Sequence, residues 1–166
     1  MRITFMTISG YLEQDHRRIE HFLQQATGFS DRIEPQPYQE FRGALLRHIG
    51  MEQKILFPAI RSAGGSLKDV EQLHLDHGAL AALLVPTPTA SILAAIRAIL
   101  AAHNIIEEGA DGIYRRFERL PGIDADAILA KLESAPPVPL NPQVDNATAI
   151  ESMRAAVQRA GYSFEL

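Results

Sequence analysis

The chain of 166 residues contains no cysteine. That absence removes disulfides, thiolate zinc sites, iron–sulfur ligation and cysteine nucleophiles, so any metal bound here is held by nitrogen and oxygen. Basic residues are not in excess either: 16 Lys and Arg stand against 20 Asp and Glu, with a sequence pI near 5.8. Such a balance provides no basic stripe for a phosphate backbone, and nucleic acid is not an expected partner. Long uninterrupted apolar runs are also missing. The most apolar stretch, Ala90 to Ile106, is broken by Arg97 and His103, both costly at the middle of a bilayer, and reads as a core helix with no membrane span expected. The opening MRITFMTISGY has too short an apolar run for a signal peptide, so the expected location is cytoplasmic.

What is present is 46% hydrophobic residues over a length suited to one domain with a substantial core. Four segments show helical periodicity, at roughly 9–27, 36–62, 66–84 and 89–119. Between them lie breakers: Gly28 to Pro37, Gly64-Gly65, Pro86-Thr87-Pro88, and finally Pro121-Gly122. Short connections between long helices predict antiparallel neighbours, hence an all-α, up-down-up-down four-helix bundle. A short helix follows at 124–133 with Asp124 as its cap. The expected division is therefore a metal-binding bundle over 1–133, then a proline-rich linker over 134–146 and a C-terminal helix within 134–166. Thr148 and Glu151 read as a capping box for that helix, Gly161 closes it, and Ile150, Met153 and Val157 form a face for docking on the bundle.

Six histidines occur, none beyond His103, and their helical positions carry the chemistry. His16 shares a face with Leu12, Ile19 and Leu23; His48 sits among Phe41, Ala44, Leu45 and Ile55, with Glu52 one turn on. His77 aligns with Val70, Leu73, Leu80 and Leu84, and His74 lies one turn before it. His103 is surrounded by Ile96, Ile99, Leu100 and Ile106, with Glu107 four residues later, repeating the pairing of His48 and Glu52. His21 lies about 140° around its helix from His16 and belongs to the solvated face. One histidine on an apolar face is ordinarily a hydrogen-bonded core residue. Two inward glutamates beside histidines, with no lysine or arginine on those faces, are different, because buried carboxylates need a counter-charge and a pair of cations supplies it.

Taken together, DHRRIEHFL around His16, HIGMEQKILFPAI around His48, LHLDHGAL around His77 and HNIIEE around His103 resemble the hemerythrin-like, or HHE cation-binding, domains over about residues 9–119. The resemblance implies a di-iron centre, with His16 and His48 on one iron, His77 and His103 on the other, and Glu52 and Glu107 bridging. His74 is carried as a fifth histidine ligand or a partner of one, since oxygen-carrying hemerythrins space that pair by four residues and here the spacing is three. They also place the second bridging carboxylate five residues after its histidine, which would select Glu108; regular helix geometry selects Glu107 unless a π-bulge intervenes. Asp111 and Tyr114 continue the Glu107 face, as partners of the ligands, as the rim of a ligand pocket, or as ordinary polar groups near a helix end.

Shared carboxylates with several imidazoles suit two roughly octahedral ions, which favours iron; manganese or zinc stay open. At about six ligands per iron, five histidines leave one open position and four leave two. The first case suits reversible oxygen binding, the second suits water, peroxide or nitric oxide. Three functions follow from these expectations. The foremost is a protein that binds or senses oxygen, nitric oxide or iron. The others are a di-iron redox enzyme acting on peroxide or nitric oxide, or resembling the iron–sulfur cluster repair proteins, and a metal-dependent regulatory module. No nucleophile, proton relay or substrate cleft is visible in the sequence, which places non-enzymatic binding first. A small diatomic molecule is the expected partner, and a homodimer is left open.

Overall fold

A computed structural model describes residues 6–66 and 68–166. The described chain is all-helical. Helix α1 spans Ile8–Ala26, α2 Pro35–Met51, a π-helical turn Glu52–Leu56, α3 Phe57–Ser62, α4 Val70–Leu83, α5 Ala90–Glu108, α6 Ile113–Glu118, α7 Ala125–Glu133 and α8 Ala147–Arg159. Side-chain caps start four of them. Thr7, Thr89, Asp124 and Asn146 each accept from the backbone N–H three residues on, satisfying a donor with no partner inside the helix. Thus α8 opens on Asn146, two residues before the expected Thr148 box.

Two of the expected long helices are interrupted, each beside a glutamate. The expected 36–62 helix passes through the π-turn, where the Phe57 N–H donates to the Glu52 carbonyl five residues back. Pro58 accounts for it: its ring crowds the preceding turn and it has no N–H to give, and a widened turn relieves both. The expected 89–119 helix stops at Glu108 and restarts at Ile113. In the intervening bend a Cβ on Gly112 would lie 2.3 Å from the Glu107 carbonyl oxygen, so only glycine lets the chain fold back so closely over the end of α5.

The core is in two apolar parts with a polar layer between them. One contains Ile19, Leu23, Leu45, Leu80 and Ile99 and takes in Met153 and Val157 of α8 with Ala160 just after it. The other contains Leu12, Met51, Leu73, Phe57 and Phe117 and is closed by Ile128 and Leu132 of α7. Each inward histidine falls at the seam, as His16 does between Leu12 and Ile19, and His77 between Leu73 and Leu80. The proline-rich segment after α7 is pinned along α2. Arg47 Nε donates to the Ala135 carbonyl at 2.9 Å, and Arg42 Nη2 to the Asn141 carbonyl at 3.2 Å.

Candidate metal centre

Four helices deliver the polar layer: α1 brings His16, α2 brings His48 with Glu52 at its π-turn, α4 brings His77, and α5 brings His103 and Glu107. All six residues are buried. Their atoms form two adjoining groups of candidate ligands, one of Glu52, His77, His103 and Glu107, the other of His16, His48 and Glu107. Each carboxylate has one oxygen toward each side. Glu52 Oε2 lies 2.9 Å from His77 Nε2, and its Oε1 3.7 Å from His48 Nε2. Glu107 Oε1 lies 2.8 Å from His103 Nε2, and its Oε2 3.3 Å from His16 Nε2.

Three imidazoles are oriented from behind. His48 Nδ1 donates to Asp15 Oδ2 at 2.9 Å, His103 Nδ1 to Asp76 Oδ2 at 3.1 Å, and His16 Nδ1 to Glu108 Oε1. A carboxylate can only accept, so each of these rings carries its proton on Nδ1 and turns Nε2 inward. Behind the fourth ring, the Gln53 amide nitrogen faces His77 Nδ1 at 3.3 Å; a half-turn of that amide would present its oxygen and free His77 Nε2. Tyr114 completes the layer. Its hydroxyl lies 2.6 Å from Glu52 Oε1, 3.0 Å from Glu107 Oε2, and 3.3 Å from both His16 Nε2 and His48 Nε2.

These contacts suit a cation better than they suit one another. His16 Nε2 and His48 Nε2 are 2.8 Å apart, so with both Nδ1 protons committed elsewhere two lone pairs face each other unless a positive charge lies between. Glu52 Oε2, His77 Nε2 and Glu107 Oε1 are fully buried and lack a hydrogen bond of acceptable geometry, despite their short separations. Protons supply the charge when no ion is bound. Burial works against a charged His48, but Glu52 and Asp15 outweigh it and raise the imidazole to about 10. His103 rises to about 10 likewise, burial being overcome by Glu107 and Asp76. Glu52 is held well below the usual carboxylate range because His48 and His77 overcome its burial. Burial and then the Glu107 and Glu52 charges push the Tyr114 phenol well up.

Of the residues singled out from sequence, His16, His48, Glu52, His77, His103 and Glu107 are brought together and His74 is not. His74 is exposed, edge-on to Phe57 with ring centroids 5.1 Å apart. Three residues turn a helix by about 300°, so with His77 aimed at the layer its predecessor lies about 60° aside. Glu107, not Glu108, faces inward; Glu108 instead supports His16 and pairs with Arg17, 2.8 Å away. The π-turn begins at Glu52 and is not in α5, so α5 keeps regular geometry where the choice between Glu107 and Glu108 is made. His21 is exposed and Asp111 lies in the bend after α5, whereas Tyr114 is drawn inside by that bend.

Sequence reasoning missed Asp15, Asp76 and Gln53. A signal for them exists in the chain as a repeat. An Asp-His pair followed by His-x-x-x-Glu and one amide or acid occurs as Asp15-His16 with His48, Glu52 and Gln53, and again as Asp76-His77 with His103, Glu107 and Glu108. In each half the aspartate supports the histidine of the other helix, and the residue after each glutamate reaches the first histidine of the opposite half.

A cavity of about 210 Å³ adjoins the layer on the side of His16, His48 and His103. Its walls include Ile19, Leu23, Leu45, Ile49, Leu80 and Leu100, and the exposed Glu20 and Arg97 border it as well, so it connects the imidazoles with the surface. Glu52, Glu107 and Tyr114 are not among its lining residues.

No curated protein and no solved structure matches the chain. The family model described as hemerythrin HHE cation binding domain matches residues 7–110, which span α1 to the end of α5 and include all six candidate ligands but not Tyr114. The chain is therefore a member of the hemerythrin HHE cation-binding domain family, a metal-binding helical domain.

Proposed function

We propose that the protein holds a carboxylate-bridged pair of iron ions and uses it to bind a small molecule such as oxygen, nitric oxide or peroxide. The observation that carries this reading is the arrangement of Glu52 and Glu107, each with one oxygen toward each of two histidine pairs and with unpartnered buried atoms where ligands would be needed. His16 and His48 would hold one ion, His77 and His103 the other, and the glutamates both. Bound iron would supply electrons and open coordination positions for the small molecule. The protein's own part is to orient the rings through Asp15, Asp76 and Glu108, to exclude bulk water with the two apolar layers, and to admit the ligand through the Leu- and Ile-walled cavity.

The exposure of His74 favours reactivity over reversible carriage within this reading. Four histidines leave about two positions for exogenous ligands, against one with five. Tyr114 is placed to donate a hydrogen bond at that region, its hydroxyl 2.6 Å from Glu52 Oε1 and 3.0 Å from Glu107 Oε2. Manganese or zinc would fit the same nitrogen and oxygen donors, so the metal is part of the test. The protein is purified without chelators, its metals are counted, and the visible spectrum of the reduced form is recorded before and after oxygen or nitric oxide. Two irons per chain with a ligand-dependent spectrum is the expected result. One ion per chain, or a spectrum indifferent to both gases, would overturn the proposal.

A further inference from the structure

The two halves of the centre are supported differently from outside. Asp15 and Glu108, behind His48 and His16, are each held by an arginine of α1: Arg18 Nη2 lies 2.7 Å from Asp15 and Arg17 Nη2 2.8 Å from Glu108. Asp76, behind His103, has no arginine or lysine partner among the described residues. Its Oδ1 accepts from Gln72 Nε2 at 2.8 Å while Oδ2 faces His103. The same Gln72 nitrogen donates at 3.0 Å to the carbonyl of Ala160, the residue that ends α8. An amide nitrogen has two hydrogens, so one side chain ties the end of α8 to the carboxylate that orients a candidate ligand.

The seat of α8 is specific. Met153, Val157 and Ala160 enter the apolar core that contains Leu80 and Leu83 of α4. Gly161, at φ +90°, turns the chain back, and the Tyr162 N–H closes on the Val157 carbonyl at 3.2 Å. This brings the Tyr162 ring to the same carboxylate: burial and then the Asp76 charge push its phenol up to about 12. Helix α8 and the turn that follows it lie beyond residues 7–110, outside the part of the chain that the family model covers.

We propose that α8 is a positioning device for one of the two ions: through Gln72 it holds Asp76, and through Asp76 it sets the orientation of His103, tuning the His77–His103 position and not the His16–His48 position. The inference rests on the two-ion reading above. Asp76 is 0% exposed, so no solvent replaces the Gln72 bond to its outer oxygen, and the carboxylate loses the donor through which α8 holds it toward His103.

Cobalt(II) binding tests it. Isothermal titration of the metal-free full chain is run in two backgrounds, His16→Ala, which keeps the His77–His103 position, and His77→Ala, which keeps the other. Adding Gln72→Leu should weaken cobalt binding about 10- to 100-fold in the first background, the usual effect of losing an outer partner of a ligand, and leave the second within about twofold. Arg18→Ala should do the reverse. Circular dichroism and melting of the metal-free variants confirm that each is folded. Equal losses in both backgrounds, or none in either, would overturn the role of α8. Failure of the unmutated chain to bind two cobalt ions would overturn the two-ion reading and this one with it.

Discussion

Replacing Tyr114 by phenylalanine removes one oxygen from the centre of the polar layer and nothing else. In the metal-free protein that hydroxyl lies 2.6 Å from Glu52 and 3.0 Å from Glu107, both 0% exposed. A hydrogen bond to a charged group contributes about 1.5–3 kcal/mol, and a buried acceptor left without its donor costs a similar amount. Only one proton is available, so a single bond is lost, and the expected destabilisation is about 2 kcal/mol. For a chain of this size each kcal/mol moves the midpoint by about 2–4 °C, giving a fall of about 4–8 °C in the metal-free protein. Bound ions would neutralise the carboxylates, so the fall should shrink in the loaded protein. Differential scanning calorimetry of both proteins, with and without metal, measures this. A metal-free midpoint within a degree of the unmutated value would refute the idea that Tyr114 satisfies the buried Glu52 and Glu107 carboxylates.

Three further outcomes follow from the same geometry. His103→Ala or Glu52→Ala should lower the metal count per chain by elemental analysis, whereas His21→Ala and His74→Ala, both at exposed positions, should leave it at the unmutated value. Metal removal should preserve the helical circular dichroism spectrum, because the two apolar cores do not depend on the ions, but should make stability strongly dependent on pH. The raised His48 and His103 stabilise the metal-free fold fully below their unfolded value near 6.5 and lose that contribution as pH rises toward about 10, while the depressed Glu52 and Glu108 contribute above about 4.5 and fade on acidification, Glu108 toward about 2. Urea titrations should therefore place the maximum between about pH 4.5 and 6.5, and a maximum above pH 8 would contradict the sign of the imidazole shifts. Gly112→Ala should cost about 1–3 kcal/mol by overpacking against the Glu107 carbonyl and should displace Tyr114, which near-ultraviolet circular dichroism would detect.

Helix periodicity was enough to show that the chain is all-helical and that His16, His48, His77 and His103 face inward, though it put His74 on the inward face as well, where the structure does not place it. A residue every three or four positions among leucines and isoleucines must share their face, and the absence of cysteine restricted the donors to nitrogen and oxygen. The choice of Glu107 over Glu108 was open to the same reasoning, since it needs only the helical angle. What local pattern could not supply were events that depend on a second element. The π-turn beginning at Glu52 and the fold-back at Gly112 come from crowding between a turn and its neighbour, and the latter draws Tyr114 into the layer. The partnership of Asp15 with His48 and of Asp76 with His103 crosses between helices, so no spacing along one helix reveals it. His74 shows the converse: its sequence spacing allows it near the layer, but the rotation of α4 that aims His77 at Glu52 and Asp76 at His103 leaves it in solvent. That rotation is set by packing α4 between α5 and α8, a consequence of tertiary contact that a helix taken alone does not contain.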